Sequence, residues 1–201
     1  RYTPNANYSG ADSYAYTVTS PTGVTETATV NVDVIKNLTV SSIDVNEGSP
    51  YAVFTISGSP GQQVQLAIQS TGSIPGSNGA GGDASLGSDS GSQLEYLDGS
   101  IWRILSNGSN VNIPANSTTL LVRVSITQDA GFEGAETFKL IASHSGGKTF
   151  GGVATIHDDG TGTIFNNDGT PNVSAAKDSD LPVPVVVQLP ATTPKADSAS
   201  I

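Results

Sequence analysis

The sequence predicts an all-β chain folded as an antiparallel β-sandwich. Three observations predict it. Runs rich in Val, Thr, Ile, Tyr and Phe alternate apolar with polar residues, helical periodicity is nearly absent, and Gly, Asn-Gly and Asp-Gly punctuate the runs at short, regular spacing. Strands spaced this way suit a sandwich rather than a parallel sheet, whose strands alternate with long helical segments.

Residues 1–36 hold two such runs, 13–19 (SYAYTVT) and 26–35 (ETATVNVDVI), with Pro21-Thr22-Gly23 as the turn between them. Two strands cannot bury their own apolar face. This stretch is therefore expected to be the C-terminal fragment of a domain. Residues 37–165 read as a complete unit, with strands expected at 38–45, 51–58, 63–70, 93–97, 101–105, 110–113, 119–127, 136–144 and 150–157. Asp98-Gly99 and Asn107-Gly108 are tight-hairpin signals. The longest loop, 71–92, is rich in Gly and Ser. From 166 to 201 the alternation dissolves into Asp-Gly, Pro and Ala, ending in LPVPVVVQLP, which is expected to be a linker or the start of a truncated next repeat. Different β units in series imply a tandem array.

Composition removes several functions. The 201 residues carry 8 Lys and Arg against 18 Asp and Glu, a net charge of −10. Single, scattered basic residues cannot track a phosphate backbone or an anionic bilayer, so no nucleic acid and no membrane surface is expected as a partner. Val185 to Val187, bounded by Pro, is the longest apolar run near the C-terminus and is far too short to span a membrane. The absence of Cys excludes disulfides, thiolate zinc sites and cysteine nucleophiles. The Gly-x-Ser-x-Gly elbow that a serine hydrolase needs is also missing, because 87–91 reads GSDSG with Asp89 at its centre. His144 falls late in a strand and His157 abuts Asp158, so each reads as a strand residue before a catalytic base, and aromatic residues to line a sugar cleft are few. No catalysis is expected. Trp102, the only Trp, reads as a core filler before a sugar platform. The glycines at 76–82 lack the Lys-Ser/Thr and helix start of a phosphate loop.

One end of the sandwich is strongly acidic. If consecutive strands run antiparallel, odd-numbered strands of the unit all end at the same pole. Glu47 follows the first strand, Asp89 the third, Asp129, Glu133 and Glu136 the seventh, and Asp158 and Asp159 the ninth. No Lys or Arg lies in those four loops. Carboxylates gathered in this way repel until a cation joins them. Calcium suits the site, because it accepts six to eight oxygens in flexible geometry; magnesium demands a stricter octahedron, and zinc wants Cys or His. Taken one at a time, the same Asp residues read as solvated turn chemistry.

Four motifs then carry a family resemblance: Val45-Asn46-Glu47-Gly48, 52–56 (AVFTI), 132–140 (FEGAETFKL) and 155–160 (TIHDDG). In this order they resemble a Calx-beta domain, the calcium-binding sandwich named from sodium–calcium exchangers. The resemblance covers residues 38–165 and implies an immunoglobulin-like β-sandwich of Calx-beta type in a tandem array. It implies Glu47, Asp89, Asp129, Glu133, Glu136, Asp158 and Asp159 as calcium ligands, with Asp83 competing with Asp89. Two departures reduce negative charge: Ala135 stands where the family often has an acidic residue, and Gln128-Asp129 where it often has Asp-Asp. One of the family's several ions is accordingly expected to be weak or missing.

The stretch 94–99 with Trp102 and IPANSTTLLVRV resembles repeats of giant bacterial adhesins, and 2–34 resembles the last strands of cadherin-like or immunoglobulin-like bacterial repeats. Asp12 reads there as a turn residue. The resemblance implies a non-catalytic, calcium-rigidified spacer in cell adhesion, extracellular, at the cell surface or secreted. Its partners would be calcium ions, neighbouring repeats and a host or matrix glycan or protein. In the segment after 165, Asp168, Asp178 and Asp180 can supply further oxygens. The alternatives are a carbohydrate- or protein-binding module that uses Trp102 or the 71–92 loop, or an accessory domain of a secreted enzyme.

Overall fold

The computed structural model describes residues 1–5, 8, 10–72, 82–144 and 147–180, and every regular element among them is a β-strand. The glycine tract at 73–81 and the Pro-rich 181–190 lie outside the described residues. Strands β1 (Gly10–Thr19) and β2 (Thr25–Val34) form a two-stranded antiparallel sheet with Tyr16 opposite Ala28. Their turn closes through Gly23, whose φ of +86° suits glycine, and whose amide donates to the Ser20 carbonyl at 2.9 Å. Tyr14, Tyr16 and Val18 stay exposed on this hairpin. That is the physical limit expected of two strands alone.

The remaining strands are β3 (Thr39–Val40), β4 (Ile43–Asn46), β5 (Tyr51–Ser57), β6 (Gln63–Ser70), β7 (Leu94–Asp98), β8 (Ile101–Leu105), β9 (Ser109–Asn112), β10 (Thr119–Ser125), β11 (Glu136–Ser143) and β12 (Thr149–His157). They build two five-stranded sheets, ordered β3-β5-β10-β7-β8 and β4-β12-β11-β6-β9. Period-two alternation aims Ala52, Phe54 and Ile56 of β5 and Leu120, Val122 and Val124 of β10 inward. From the other sheet come Val64, Leu66 and Ile68 of β6 and Phe138, Leu140 and Ala142 of β11. Phe54 meets Phe138 edge-on, with ring centroids 5.9 Å apart. The architecture is an immunoglobulin-like β-sandwich.

Two local readings of the sequence are corrected. The strand expected at 38–45 divides, placing β3 in one sheet and β4 in the other. Ser41 and Ser42 make the switch: the Ser41 hydroxyl accepts the Thr55 amide of β5 at 2.9 Å, and the Ser42 hydroxyl accepts the Val153 amide of β12 at 3.1 Å. Each serine thus serves one sheet. Only glycine fits opposite, since a Cβ on Gly152 would lie 2.0 Å from the Ser41 carbonyl oxygen. The second correction concerns Asn107-Gly108, which joins β8 to β9 across the two sheets instead of closing a hairpin. Asn107 lends its side chain to the edge of β6, accepting from the Ile68 amide at 2.9 Å and donating to its carbonyl at 3.3 Å. Asp98-Gly99 does close the two-residue β7–β8 hairpin, with Asp98 opposite Ile101.

Beyond β12 the chain stays on the sandwich. Thr163 bridges to Val45, Phe165 joins the core, and its amide donates to the Ser49 hydroxyl at 3.0 Å. A turn at 166–170 meets Arg123, which donates to the Asn167 carbonyl at 2.6 Å. Arg123 also pairs with Glu95 at 2.6 Å, and its guanidinium lies 3.7 Å from the Tyr51 ring centre and 4.2 Å from that of Trp102. Gly169 covers the same Trp102 ring, where a Cβ would approach to 2.9 Å. Trp102 is therefore a packing residue beneath this turn.

Candidate metal centre

Four strand ends build the acidic pole. β4 runs parallel to β12, with Val45 opposite Ile156, so Glu47 and Asp158 leave their strands side by side. Both are buried, with 7% and 3% of their surface exposed. Each spends one oxygen on a backbone amide that positions it. Glu47 Oε1 accepts the Asp129 amide at 3.1 Å, and Asp158 Oδ2 accepts the Glu133 amide at 3.1 Å. These two bonds tie the β10–β11 loop onto the strand ends. The other oxygens, Glu47 Oε2 and Asp158 Oδ1, are buried without a partner.

The acidic side chains sort into two groups. Glu47, Asp158, Asp178 and Asp180 form one, and Asp89, Glu133 and Glu136 the other; within each group the facing oxygens lie within 4.8 Å of one another. A single cleft, also lined by Thr127, Gly134 and Ile156, joins Glu47 and Asp158 to the second group. None of the seven forms an ion pair among the described residues. Two full charges 4.8 Å apart repel by about 3.5 kcal/mol at an effective dielectric of about 20.

Burial and mutual repulsion together raise the pKa of several of these carboxyls. Burial pushes Glu136 up to about 8, reinforced by the charge and hydrogen bond of Asp89. Burial likewise pushes Glu47 up to about 7; the Asp129 amide pulls the other way, and Asp158 adds to the rise. Glu133 is raised by burial and then by Asp129, Asp89 and Asp158. Asp180 is raised by desolvation and by its neighbours Asp178, Asp158 and Asp129. Without a cation, the pole holds protons that ordinary glutamates have lost at neutral pH.

Of the residues expected from the sequence, Glu47, Asp89, Glu133, Glu136 and Asp158 fall in these two groups. Asp129 and Asp159 do not. Asp129 contributes its amide to Glu47, while its exposed carboxylate accepts the Gly131 amide at 2.6 Å. Asp159 is exposed and accepts from the Thr161 amide at 3.0 Å and from the Thr161 hydroxyl, bonds that hold it below the usual carboxylate range. Between the two competing loop residues, Asp83 is tied to Ser70 at 2.6 Å and to Thr71, and Asp89 is the one in a group.

Asp178 and Asp180 enter from the stretch read as linker, whereas Asp168 is occupied by the Thr170 amide and hydroxyl at 2.9 and 2.6 Å. The residue that motif reading missed is Asn46, which is fully buried. Its Nδ2 donates to the carbonyls of His157, Thr161 and Asp178, and its Oδ1 accepts the Gly48 and Asp178 amides.

A model of a bacterial Ig domain matches residues 1–33, the part holding β1 and most of β2. No curated protein matches this chain in sequence. Among solved structures, the apo-form Calx CBD1 domain is 17% identical, covering 61% of this chain and 97% of its own, with a TM-score of 0.40. The calcium binding domain CBD12 of CALX1.1 is also 17% identical over 61% of this chain and 46% of its own, at 0.42. A chaperone–tip adhesion subunit pre-assembly complex of Csu pili from Acinetobacter baumannii is 7% identical over 66% and 62%, at 0.34.

Proposed function

We propose that this chain is a non-catalytic, calcium-binding extracellular repeat of a large bacterial surface protein, and that it acts as a calcium-stiffened spacer in adhesion. One observation carries the calcium reading: two buried carboxylates, Glu47 and Asp158, each direct an unpartnered oxygen into a site where no Lys or Arg among the described residues pairs with them. The donor set is all oxygen, comes from several loops and exceeds four carboxylates, which suits a hard cation with flexible coordination. The ion would relieve the repulsion and lock β4, β12 and the β10–β11 loop to one another. In a tandem protein such a lock at the end of a repeat reduces hinge freedom to the next one.

Isothermal titration at neutral pH tests the reading: calcium saturates the chain and magnesium at equal concentration does not. The spacer role is tested on a two-repeat chain by small-angle scattering, where chelation lowers the mean end-to-end distance. A second reading, a carbohydrate- or protein-binding module, has a place in the open groove at the opposite pole, lined by Gln63, Tyr96, Asp98, Asn110, Asn112 and Asn116. Trp102 is unsuited to that role beneath Arg123 and Gly169.

A further inference from the structure

The calcium reading leaves one group incompletely explained. Asp178 and Asp180 lie well beyond the last strand, yet they complete the four-carboxylate group at Glu47 and Asp158. Their arrival there is specific. Ser179 bridges antiparallel to Asp159, so successive side chains alternate, with Lys177 and Ser179 exposed and Asp178 and Asp180 turned towards the sandwich. The Asp178 backbone is held from both sides by Asn46, and the Asp180 amide donates to the Asp158 carbonyl at 3.2 Å. Gly48 leaves room for this approach, since a Cβ there would lie 3.1 Å from Asp178 Cβ. Asp178 Oδ2 and Asp180 Oδ2 are buried without partners, as are Glu47 Oε2 and Asp158 Oδ1. Four inward oxygens from four carboxylates oppose docking of this strand unless something positive sits between them.

We propose that Asp178 and Asp180 are ligands of a divalent cation shared with Glu47 and Asp158, so that the ion fastens residues 177–180 to the end of the sandwich. The inference rests on the calcium reading above and deepens it. With the metal bound, the exit strand at 177–180 is docked; with it removed, that strand is released.

Lys177 makes the test direct, because it is an exposed tryptic site inside the docked strand. The full chain is digested with trypsin in calcium and in chelator, with cleavage after the exposed Lys148 of the β11–β12 turn as internal control. Calcium is expected to slow cleavage after Lys177 by roughly tenfold or more, since a ligand at 100 times its Kd suppresses opening of the state that binds it by about 100-fold. The double variant Asp178→Asn/Asp180→Asn keeps the backbone bonds to Asn46. It should melt cooperatively, still gain thermal stability from calcium at the remaining carboxylates, and cleave after Lys177 at the same rate in calcium and in chelator, because both the repulsion and the ion's hold on the strand are gone. An unchanged calcium effect on Lys177 cleavage in the variant, or a calcium-stabilised wild type whose Lys177 cleavage calcium does not slow, overturns this inference alone. A wild type in which calcium changes neither the melt nor the cleavage overturns it together with the calcium reading.

Discussion

Asn46 and Asp178, 132 positions apart, are joined as if they were neighbours in a ladder: the Asp178 amide donates to Asn46 Oδ1 at 2.8 Å, and Asn46 Nδ2 donates to the Asp178 carbonyl at 3.0 Å. The same amide group also reaches the carbonyls of His157 and Thr161, at 3.3 and 2.8 Å. One buried side chain therefore sets the positions of β4, the end of β12 and the exit strand, which are the elements that bring Glu47, Asp158 and Asp178 together.

Asn46→Asp tests this hub with almost no change of shape. It replaces a donor that faces three carbonyls with an acceptor, leaving buried groups unpaired at a cost of about 3 kcal/mol. Chemical denaturation should show that loss. Asn46→Ser should fall between the two, because a hydroxyl still donates one bond.

Removing a pole carboxylate should have opposite effects with and without metal. At about pH 9, above the raised values of both groups, Glu136→Gln and Glu47→Gln each delete a charge that repels its neighbours, so the chelated protein should melt several degrees higher than wild type. In calcium the same variants should melt lower than wild type and bind the ion about 10- to 100-fold more weakly. Paired melts in calcium and in chelator check both signs.

Acidity should follow the raised carboxylates. Glu47 and Glu136 move from the ordinary 4.5 to about 7 and about 8 in the folded chain. Between those limits the native state binds more protons than the unfolded state, so metal-free stability falls as pH rises from 5 to 8. Saturating calcium should flatten that slope. Calcium binding at pH 6.5 should also release about one to two protons, measured by titration calorimetry in buffers of different ionisation enthalpy.

Arg123 stabilises the other end of the exit path. Its guanidinium is buried between Tyr51 and Trp102, paired with Glu95 and bonded to Asn167. Arg123→Ala leaves Glu95 without its partner and should cost about 3 kcal/mol in unfolding free energy. Trp102 fluorescence should shift to the red as the turn at 166–170 lifts from the ring.

Much of this was legible in the chain, and the rest was hidden for identifiable reasons. Alternating runs located nearly every strand, and strand parity alone gathered Glu47, Asp89, Asp129, Glu133, Glu136, Asp158 and Asp159 at one pole, of which all but Asp129 and Asp159 fall in the two acidic groups. Parity cannot show which sheet a strand joins, so the Ser41-Ser42 switch and the crossing at Asn107-Gly108 were invisible to it. Asp159 had a local signal that motif matching overrode, and Asp168, which no motif marked, has the same one. Both stand in Asp-Gly-Thr, where the carboxylate turns back onto the Thr amide and hydroxyl two residues on. Asp178 and Asp180 have no such pattern around them. Their place is set by Asn46 and by the Asp159–Ser179 bridge, both long-range, so residue type suggested oxygens there while only the fold supplies the position.

The central claim is that the acidic pole is a calcium site, and thermal melts of the chain in calcium, in magnesium and in chelator test it most directly. A cation bound only by the native state at 100 times its Kd adds about 2.7 kcal/mol per site. The account predicts an upward shift of several degrees with calcium, little with magnesium, and loss of most of the calcium shift in Glu47→Gln. Identical melts in all three conditions would contradict it and leave these carboxylates as protonated, metal-free turns.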